Sequence, residues 1–141
     1  MKERAAQRTF DSLRVGEEAT VTRFISEEDV SAFAKLSGDF NPLHTDEEYA
    51  KTTPHKSRIV HGMFLGALVS QLVGMYLPGK NALLVREALE FKKPVRIGET
   101  VVIKGIVANK SAAVKLVEIS ITVTSANVIV ASGSAQALVL E

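Results

Sequence analysis

The chain has 141 residues, of which 46% are hydrophobic and 23% are charged, so it can bury the core of one domain over residues 1–141 without disulfides or a structural metal. It carries 17 Lys and Arg residues against 16 Asp and Glu residues, and a formal charge of +1 argues against a dedicated nucleic-acid binder. The absence of cysteine excludes thiol catalysis and cysteine-bound zinc.

The hydropathy pattern gives no membrane or export signal. Residues 1–8 are polar and lack the apolar segment of a signal peptide. The longest apolar stretch, residues 62–75, contains Ser70 and Gln71 and is shorter than the roughly 20 residues of a membrane span. These features predict a cytoplasmic protein that does not enter a membrane.

The first elements in the chain are a strand and a helix. Residues 18–25 are rich in Thr, Val and Ile and alternate loosely, which predicts a strand. Ser26 and Asp29 have the spacing of a capping box, so a helix is predicted to begin there. Gly38 suits the left-handed residue that closes many helices, and it predicts the end of this helix.

A break and a second, shorter helix follow. Pro42 cannot continue the first helix, because proline moves the residue before it out of the helical region. Thr45 and Glu48 have the spacing of another capping box, which predicts a short helix near Asp46. Residues 52–60 are predicted to form a loop.

A long apolar helix is predicted over residues 62–76. It is apolar almost all round, which is typical of a helix in the centre of a domain. Small residues recur at every fourth position and therefore line one face: Gly62, Gly66, Ser70 and Gly74. A backbone or a slender ligand can lie close against that face.

The second half of the chain has the alternating pattern of half-buried strands. The predicted strands are residues 82–91, 100–108, 113–125 and 128–140. Short links make the last three a meander, and the inward face of the last strand is predicted to carry Ile129, Ala131, Ala135, Ala137 and Val139. The sequence therefore predicts an α+β fold, in which an antiparallel sheet of about five strands wraps a buried helix.

Asp39 and His44 are the first candidates for chemistry. On a continuous helix they would point about 140° apart, but Gly38 and Pro42 place them on a turn between helices, where both can aim at one point. Such a pair can hold one water, accept its proton and return a proton elsewhere. The alternative is a purely local role, with the acid capping a turn and the histidine bonding nearby backbone.

Gly62, at the start of the apolar helix, is a second candidate. A helix N-terminus presents free N–H groups and the positive end of the dipole. A glycine there lets a carbonyl oxygen approach, so the N–H can serve as an oxyanion hole, or the glycine can merely allow close packing. Ser70 can donate a hydrogen bond to a ligand or to its own helix.

Residues 33–44 resemble the hydratase signature of the MaoC-like, R-specific enoyl-CoA hydratases, with a Gly-Asp-x-Asn-Pro-x-His core that starts at Gly38. Residues 59–63 and 90–100 are similar to two further blocks of that family. The resemblance covers residues 33–100, and the order of the predicted elements fits it over the whole chain.

The resemblance implies a hot-dog fold and a homodimer whose two sheets join edge to edge, with an acyl-thioester tunnel near the interface. It implies reversible hydration of trans-2-enoyl-CoA to (R)-3-hydroxyacyl-CoA without a cofactor. Asp39 and His44 would activate the water, with acid and base unassigned because a close pair titrates as a unit. The Gly62 N–H would polarise the thioester carbonyl, Ser70 would lie near the thioester, and Asn41 would hold the catalytic turn.

No metal is predicted. The spacings of Asp39, His44, His55 and His61 match none of the established ligand motifs. His55 lies in a polar loop and is predicted to be a solvated surface residue.

Basic residues near the third family block are candidate contacts to CoA phosphates. They are Lys92, Lys93 and Arg96, with Arg58 as a further candidate. A solvated sheet edge is the alternative interpretation, since lysines commonly protect such edges.

Three other functions stay open beside the hydratase. A dehydratase acting on acyl-carrier-protein thioesters would use the same chemistry on another carrier. A hot-dog thioesterase would aim its water at the carbonyl carbon, and a non-catalytic acyl-CoA binding module would need neither Asp39 nor His44. The sequence does not say whether the pathway is polyester supply or fatty-acid metabolism.

Overall fold

The computed structural model describes residues 2–141, which form a five-stranded antiparallel sheet and four helices. The strands are β1 (Glu18–Phe24), β2 (Ala82–Phe91), β3 (Thr100–Ser111), β4 (Leu116–Ser125) and β5 (Val128–Val139). The helices are α1 (Glu27–Ser37), α2 (Pro42–Thr45), α3 (Glu47–Lys51) and α4 (Gly62–Met75). The order across the sheet is β1-β3-β4-β5-β2, so β1 and β2 are its edges and the predicted meander is confirmed.

The core lies between α4 and the inner face of the sheet, because α4 contacts β1, β2, β3 and β5. Alternate residues of β3 and β4 are buried, as the sequence predicts: Val101, Ile103, Val107, Val117, Ile119, Ile121 and Val123. The predicted α+β architecture, a sheet around a central helix, is therefore confirmed.

A bulge changes the inward face of β5. Val123 pairs with Ala131 and Thr124 with Ile129, so Val130 is the extra residue. A bulge shifts the alternation by one position, and Val130 is accordingly buried while Ile129 is 47% exposed. The prediction that Ile129 faces the core is wrong for this reason.

Helix α1 begins and ends as the sequence predicts. Ser26 and Asp29 form a reciprocal capping box, and Gly38 closes the helix in the left-handed conformation, with φ of 77°. The helix buries Val30 and Ala34 against the core. These local signals fix where the chain leaves the helix, and therefore where the turn that carries Asp39 begins.

The one-turn helix α2 is a departure from the sequence interpretation. Pro42 is its first residue, a position where the missing N–H is not needed, and Asn41 caps it by accepting a hydrogen bond from the Leu43 N–H. The capping box expected at Thr45 is wrong, since Asp46 caps α3 instead. Pro42 therefore starts a helix, while Gly38 ends the previous one.

Helix α4 ends one residue before the predicted boundary, and it is not buried all round. One stripe is exposed in the single chain: Met63, Ala67, Ser70 and Gly74. The rest of the helix is largely buried, with Val69 and Leu72 fully covered. No helix within residues 2–141 is long and apolar enough to cross a membrane.

The small-residue face of α4 packs against the edge strand β2. A Cβ atom added at Gly62 would lie 3.1 Å from the Phe91 ring, so the glycine permits a close approach of helix and strand. One turn later, a Cβ at Gly66 would lie 2.9 Å from a carboxylate oxygen of Glu87. The sequence prediction of a close approach on this face is confirmed for these two glycines.

Glu87 is an acid on the inner face of the sheet. Its Oε1 atom is buried without a hydrogen-bond partner among residues 2–141. Burial raises the pKa of the Glu87 carboxyl, because removal from water disfavours the charged form. Ionised Glu87 therefore destabilises the folded state. The contribution of Glu87 to the free energy of unfolding is most favourable at low pH, where the acid is protonated, and this contribution is lost as the pH rises through the folded-state pKa.

Glu87→Gln is expected to raise the free energy of unfolding near neutral pH by about 1 kcal/mol, because it removes a desolvated charge. The gain should shrink as the pH is lowered towards about 4, where glutamate is protonated in both states. Urea unfolding at the two pH values measures this. Glu90→Gln, on the exposed part of the same strand, is the control and should change stability by less than about 0.5 kcal/mol. A loss of stability in Glu87→Gln at neutral pH would contradict the account.

Candidate active site

Three side chains converge beside the N-terminus of α4. One oxygen of the Asp39 carboxylate and one ring nitrogen each of His44 and His61 lie within 4.8 Å of one another. Two groups that share a water at about 2.8 Å and a tetrahedral angle are about 4.6 Å apart. The structure thus brings Asp39 and His44 together at a separation that one water can bridge, while their catalytic role stays a prediction.

Hydrogen bonds to residues close in sequence orient Asp39. Its Oδ1 accepts from the Asn41 N–H at 3.1 Å, and its own N–H donates to Ser37 Oγ at 3.1 Å. Asn41 in turn caps α2, so its side chain holds the turn between the two candidate catalytic residues. Asp39 itself is exposed in the single chain, which leaves its second carboxylate oxygen accessible to a water.

His44 has its tautomer set by the backbone. Its Nδ1 lies 2.7 Å from the carbonyl oxygen of Ile59, and a carbonyl only accepts, so Nδ1 carries the proton. In the neutral ring Nε2 is then the free lone pair, which is the form that a general base requires. The Ile59 N–H bonds back to the Leu43 carbonyl at 3.2 Å, so α2 and this loop hold each other.

His61 is the member of the cluster to which sequence reasoning gave no role. It is only 2% exposed, and its Nε2 lies 3.0 Å from the backbone carbonyl of Asp39. Its ring stacks on that of His44, with centroids 4.0 Å apart and planes inclined by 24°. The sequence signals for it were its place directly before the glycine that opens the apolar helix and within residues 59–63, which resemble a block of the family.

The stacking of the two rings opposes metal binding by both histidines. An imidazole binds a metal in its ring plane, at a nitrogen distance of about 2.1 Å. The two rings lie in nearly parallel planes with centroids 4.0 Å apart, so one metal ion cannot lie in both ring planes at that distance. The geometry favours an acid–base site, and the expectation of a metal-free site stays a prediction.

A pocket of about 340 Å³ opens beside this cluster. It is lined by His44, His55, Ile59, Val60, Gly62, Leu65, Phe91, Lys92, Lys93, Pro94 and Val95. Its walls are mainly apolar, which suits an acyl chain more than a polar ligand. Sequence reasoning did not identify Phe91 or Val95 as pocket residues, and it assigned His55 to the surface.

The N-terminus of α4 borders this pocket through Gly62. The first amides of a helix have no acceptor within the helix, and the first turn of α4 carries no acidic side chain. His61, at the cap position, makes no side-chain bond to these amides. The positive end of the helix dipole is therefore available to a carbonyl oxygen in the pocket.

Other predicted site residues have different positions. Ser70 lies about two turns beyond Gly62 on the exposed stripe of α4, and it is not among the residues that line the pocket. A role near the thioester would require a ligand on that exposed face, so it stays a prediction.

The predicted phosphate contacts divide into two groups. Lys92 and Lys93 line the pocket and are exposed. Arg96 instead donates to Ser57 Oγ at 3.0 Å and to the His55 carbonyl at 2.8 Å, in a neighbouring pocket. Arg58 is held between two acids of α1 and α3, which compensate its charge. The two lysines are thus the better placed for an anionic ligand.

Comparison with known proteins gives one consistent family. The sequence model of the MaoC like domain matches residues 7–129. An (R)-specific enoyl-CoA hydratase of Rhodospirillum rubrum is 41% identical over 134 residues, which cover 92% of this chain and 90% of that protein. The solved structure of an R-hydratase of Pseudomonas aeruginosa, PhaJ1, superposes with a TM-score of 0.92 at 35% identity, covering 97% of this chain and 88% of that one.

A relative with another carrier matches over a shorter region. The mitochondrial 3-hydroxyacyl-[acyl-carrier-protein] dehydratase of Arabidopsis thaliana is 38% identical, over 63% of this chain and 52% of that protein. The hydratase of Rhodospirillum rubrum is therefore similar over more of the chain than this dehydratase is.

Proposed function

This chain belongs to the MaoC-like domain family, and from that membership we propose that it is an (R)-specific enoyl-CoA hydratase. It is a hydro-lyase that adds water reversibly to trans-2-enoyl-CoA and gives (R)-3-hydroxyacyl-CoA. Its sheet and central helix form the hot-dog fold of this family. The observation that carries the proposal is the pairing of Asp39 with His44 at 4.8 Å or less, beside a pocket that also contains Gly62.

The thioester carbonyl binds at the start of α4. Its oxygen accepts a hydrogen bond from the Gly62 N–H, at the positive end of the helix. This withdraws electrons from the conjugated double bond and makes C3 electrophilic. As water adds, negative charge develops on the same oxygen, and the fixed N–H stabilises it without reorganisation.

The water is held by Asp39 and His44 on one side of the double bond. One of the pair removes a proton from the water as its oxygen attacks C3, and a proton is returned to C2. Delivery of both from one side gives syn addition. The free Nε2 of His44 is suited to the role of base. The acid is not assigned to one residue, because two close groups titrate as a unit.

The acyl-carrier-protein dehydratase is the second candidate, because the same residues would catalyse it. The greater coverage of the Rhodospirillum rubrum hydratase favours CoA as the carrier. Lys92 and Lys93, exposed at the pocket, would contact the phosphates of CoA. A carrier protein offers a large acidic surface, so its reaction would slow steeply with ionic strength.

A homodimer is part of the proposal. Strand β2 is an edge of the sheet and exposes Leu83 and Val85, and α4 exposes Met63 nearby in the fold. A second chain paired along β2 would cover these groups, in agreement with the need to protect open edges. Sedimentation equilibrium should give the mass of two chains, and a monomer at micromolar concentration would contradict it. Two further predictions are a single domain over residues 1–141 and a cytoplasmic location. Cell fractionation would test the location.

The assay that tests the function uses purified protein and crotonyl-CoA. Loss of the conjugated enoyl-thioester absorbance, with no release of free thiol, is the expected result. Release of free CoA would indicate a thioesterase, and binding without turnover would indicate a binding module. Turnover only of the acyl-carrier-protein thioester would move the assignment to the dehydratase.

A further inference from the structure

We propose that His61 is a positioning residue for the hydration reaction, fixing the Asp39 backbone and the His44 ring at the separation that holds the water. This inference rests on the proposed function. It assigns to His61 no contact with the substrate, since the residues that line the pocket do not include it.

The first contact of His61 is with the turn that carries Asp39. The carbonyl oxygen of Asp39 can only accept, so the His61 Nε2 at 3.0 Å must carry the proton and donate it. This bond ties the turn after α1 to the N-terminus of α4, 22 residues later in the chain. The carboxylate is thereby held relative to the helix whose first amide meets the thioester.

The second contact fixes the plane of His44. The His61 ring lies 4.0 Å from the His44 ring, and Phe33 packs on His61 at 4.9 Å in a tilted arrangement. The hydrogen bond from His44 Nδ1 to Ile59 fixes one point of that ring. The stacked partner fixes its rotation about that point, so the free Nε2 keeps its direction.

The buried Nδ1 atom of His61 argues that packing alone does not explain a histidine here. This atom has no hydrogen-bond partner within residues 2–141, and an unsatisfied buried polar atom is destabilising. An apolar side chain would fill the same space without that cost. A histidine is required only if its Nε2 donor and its flat ring are both used, as the two contacts indicate.

Four groups face the His61 ring: Phe33, the His44 ring, the Asp39 backbone carbonyl and an oxygen of the Asp39 carboxylate, which lies within 4.8 Å of a His61 ring nitrogen. His61 therefore borders both candidate catalytic residues, a position from which it can fix their separation.

Three variants separate the two contacts. His61→Phe keeps a ring and loses the donor, His61→Gln keeps an N–H donor and loses the ring, and His61→Leu loses both. We expect kcat for crotonyl-CoA hydration to fall by about 100-fold in the leucine variant and by about 10-fold in each of the others, since small displacements of catalytic groups have effects of this size. KM should stay within about twofold, because no pocket contact changes.

The control is Ser125→Ala, which removes the other buried polar side chain among the described residues, together with its 2.6 Å bond to Glu99. It should lower the unfolding temperature without changing kcat. Partial recovery of kcat in the glutamine and phenylalanine variants relative to leucine is a result that a merely structural role would not produce.

Equal kcat values in all folded variants would overturn the proposal. A rise in KM with unchanged kcat, or a fall in kcat in proportion to the fall in unfolding temperature, would also overturn it. If the leucine variant does not fold, the comparison of phenylalanine and glutamine with the wild type decides. A wild-type protein without hydration activity would instead overturn the proposed function. In that case the imidazole nitrogen NMR spectrum of the wild type still tests the geometry: His61 should carry a proton at Nε2, and a ring protonated only at Nδ1 would contradict it.

Discussion

Asp39→Asn is expected to lower kcat for crotonyl-CoA hydration by about 100- to 10,000-fold, the range of general acid–base catalysis. In the wild type Asp39 Oδ1 accepts a hydrogen bond from the Asn41 N–H at 3.1 Å. The amide oxygen of asparagine can accept the same bond, so the turn should keep its shape. The amide cannot take a proton from the water. Steady-state kinetics with a thermal unfolding curve measures both quantities, and the unfolding temperature should hardly change.

Asp46→Asn is the matched control for this variant. Asp46 caps α3 by accepting the Tyr49 N–H, and asparagine caps helices equally well. The same change of acid to amide, seven residues along the chain, should therefore leave kcat within about twofold. Near-wild-type activity in Asp39→Asn would remove Asp39 from the mechanism, although the fold assignment would stand.

His44→Gln is expected to have an effect of similar size, because it removes the free Nε2 that the Ile59 carbonyl selects by bonding Nδ1. The double variant with Asp39→Asn should be little slower than the slower single variant, since residues that act as a unit are not additive. Kinetics of the two single variants and the double variant measures this directly.

Fully multiplicative losses in the double variant would show that Asp39 and His44 act independently, against a shared water. A rise in KM with unchanged kcat in His44→Gln would assign His44 to binding, since it also lines the pocket. Either result would contradict the proposed roles while leaving the pocket intact.

The features that sequence predicted well depend on local chemistry. The capping box at Ser26 and the left-handed Gly38 are settled by residues within one turn, and they fix where Asp39 begins its turn. Asp39 and His44 are also close in sequence, so their convergence needs no distant contact. The buried residues of β4 alternate regularly, and those of β3 do so up to Val107, where the register of this pair shifts.

The features that sequence missed depend on register and on pairing between distant segments. An extra residue, Val85, shifts the pairing of β2 with β5 between Leu84 and Arg86. Without it the even-numbered residues would continue along the inner face, whereas Glu87 and Phe91 face α4. A bulge cannot be read from the β2 segment alone, so the pocket wall at Phe91 was not predictable.

Two further misses have different causes. Pro42 was taken only as a helix breaker, although the first position of a helix tolerates it, so one residue type allows two backbone roles. His61 meets Asp39 across 22 residues of sequence, and only the packing of α4 beside the turn creates that contact.

The handedness of the product formed from crotonyl-CoA tests the central claim most directly, because it reports which face of the double bond Asp39 and His44 present to the water. Chiral chromatography of the hydrolysed product, with both enantiomers as standards, gives the answer. The expected product is (R)-3-hydroxybutyryl-CoA, essentially without the other enantiomer. Formation of the (S) enantiomer, or of a racemic mixture, would contradict it.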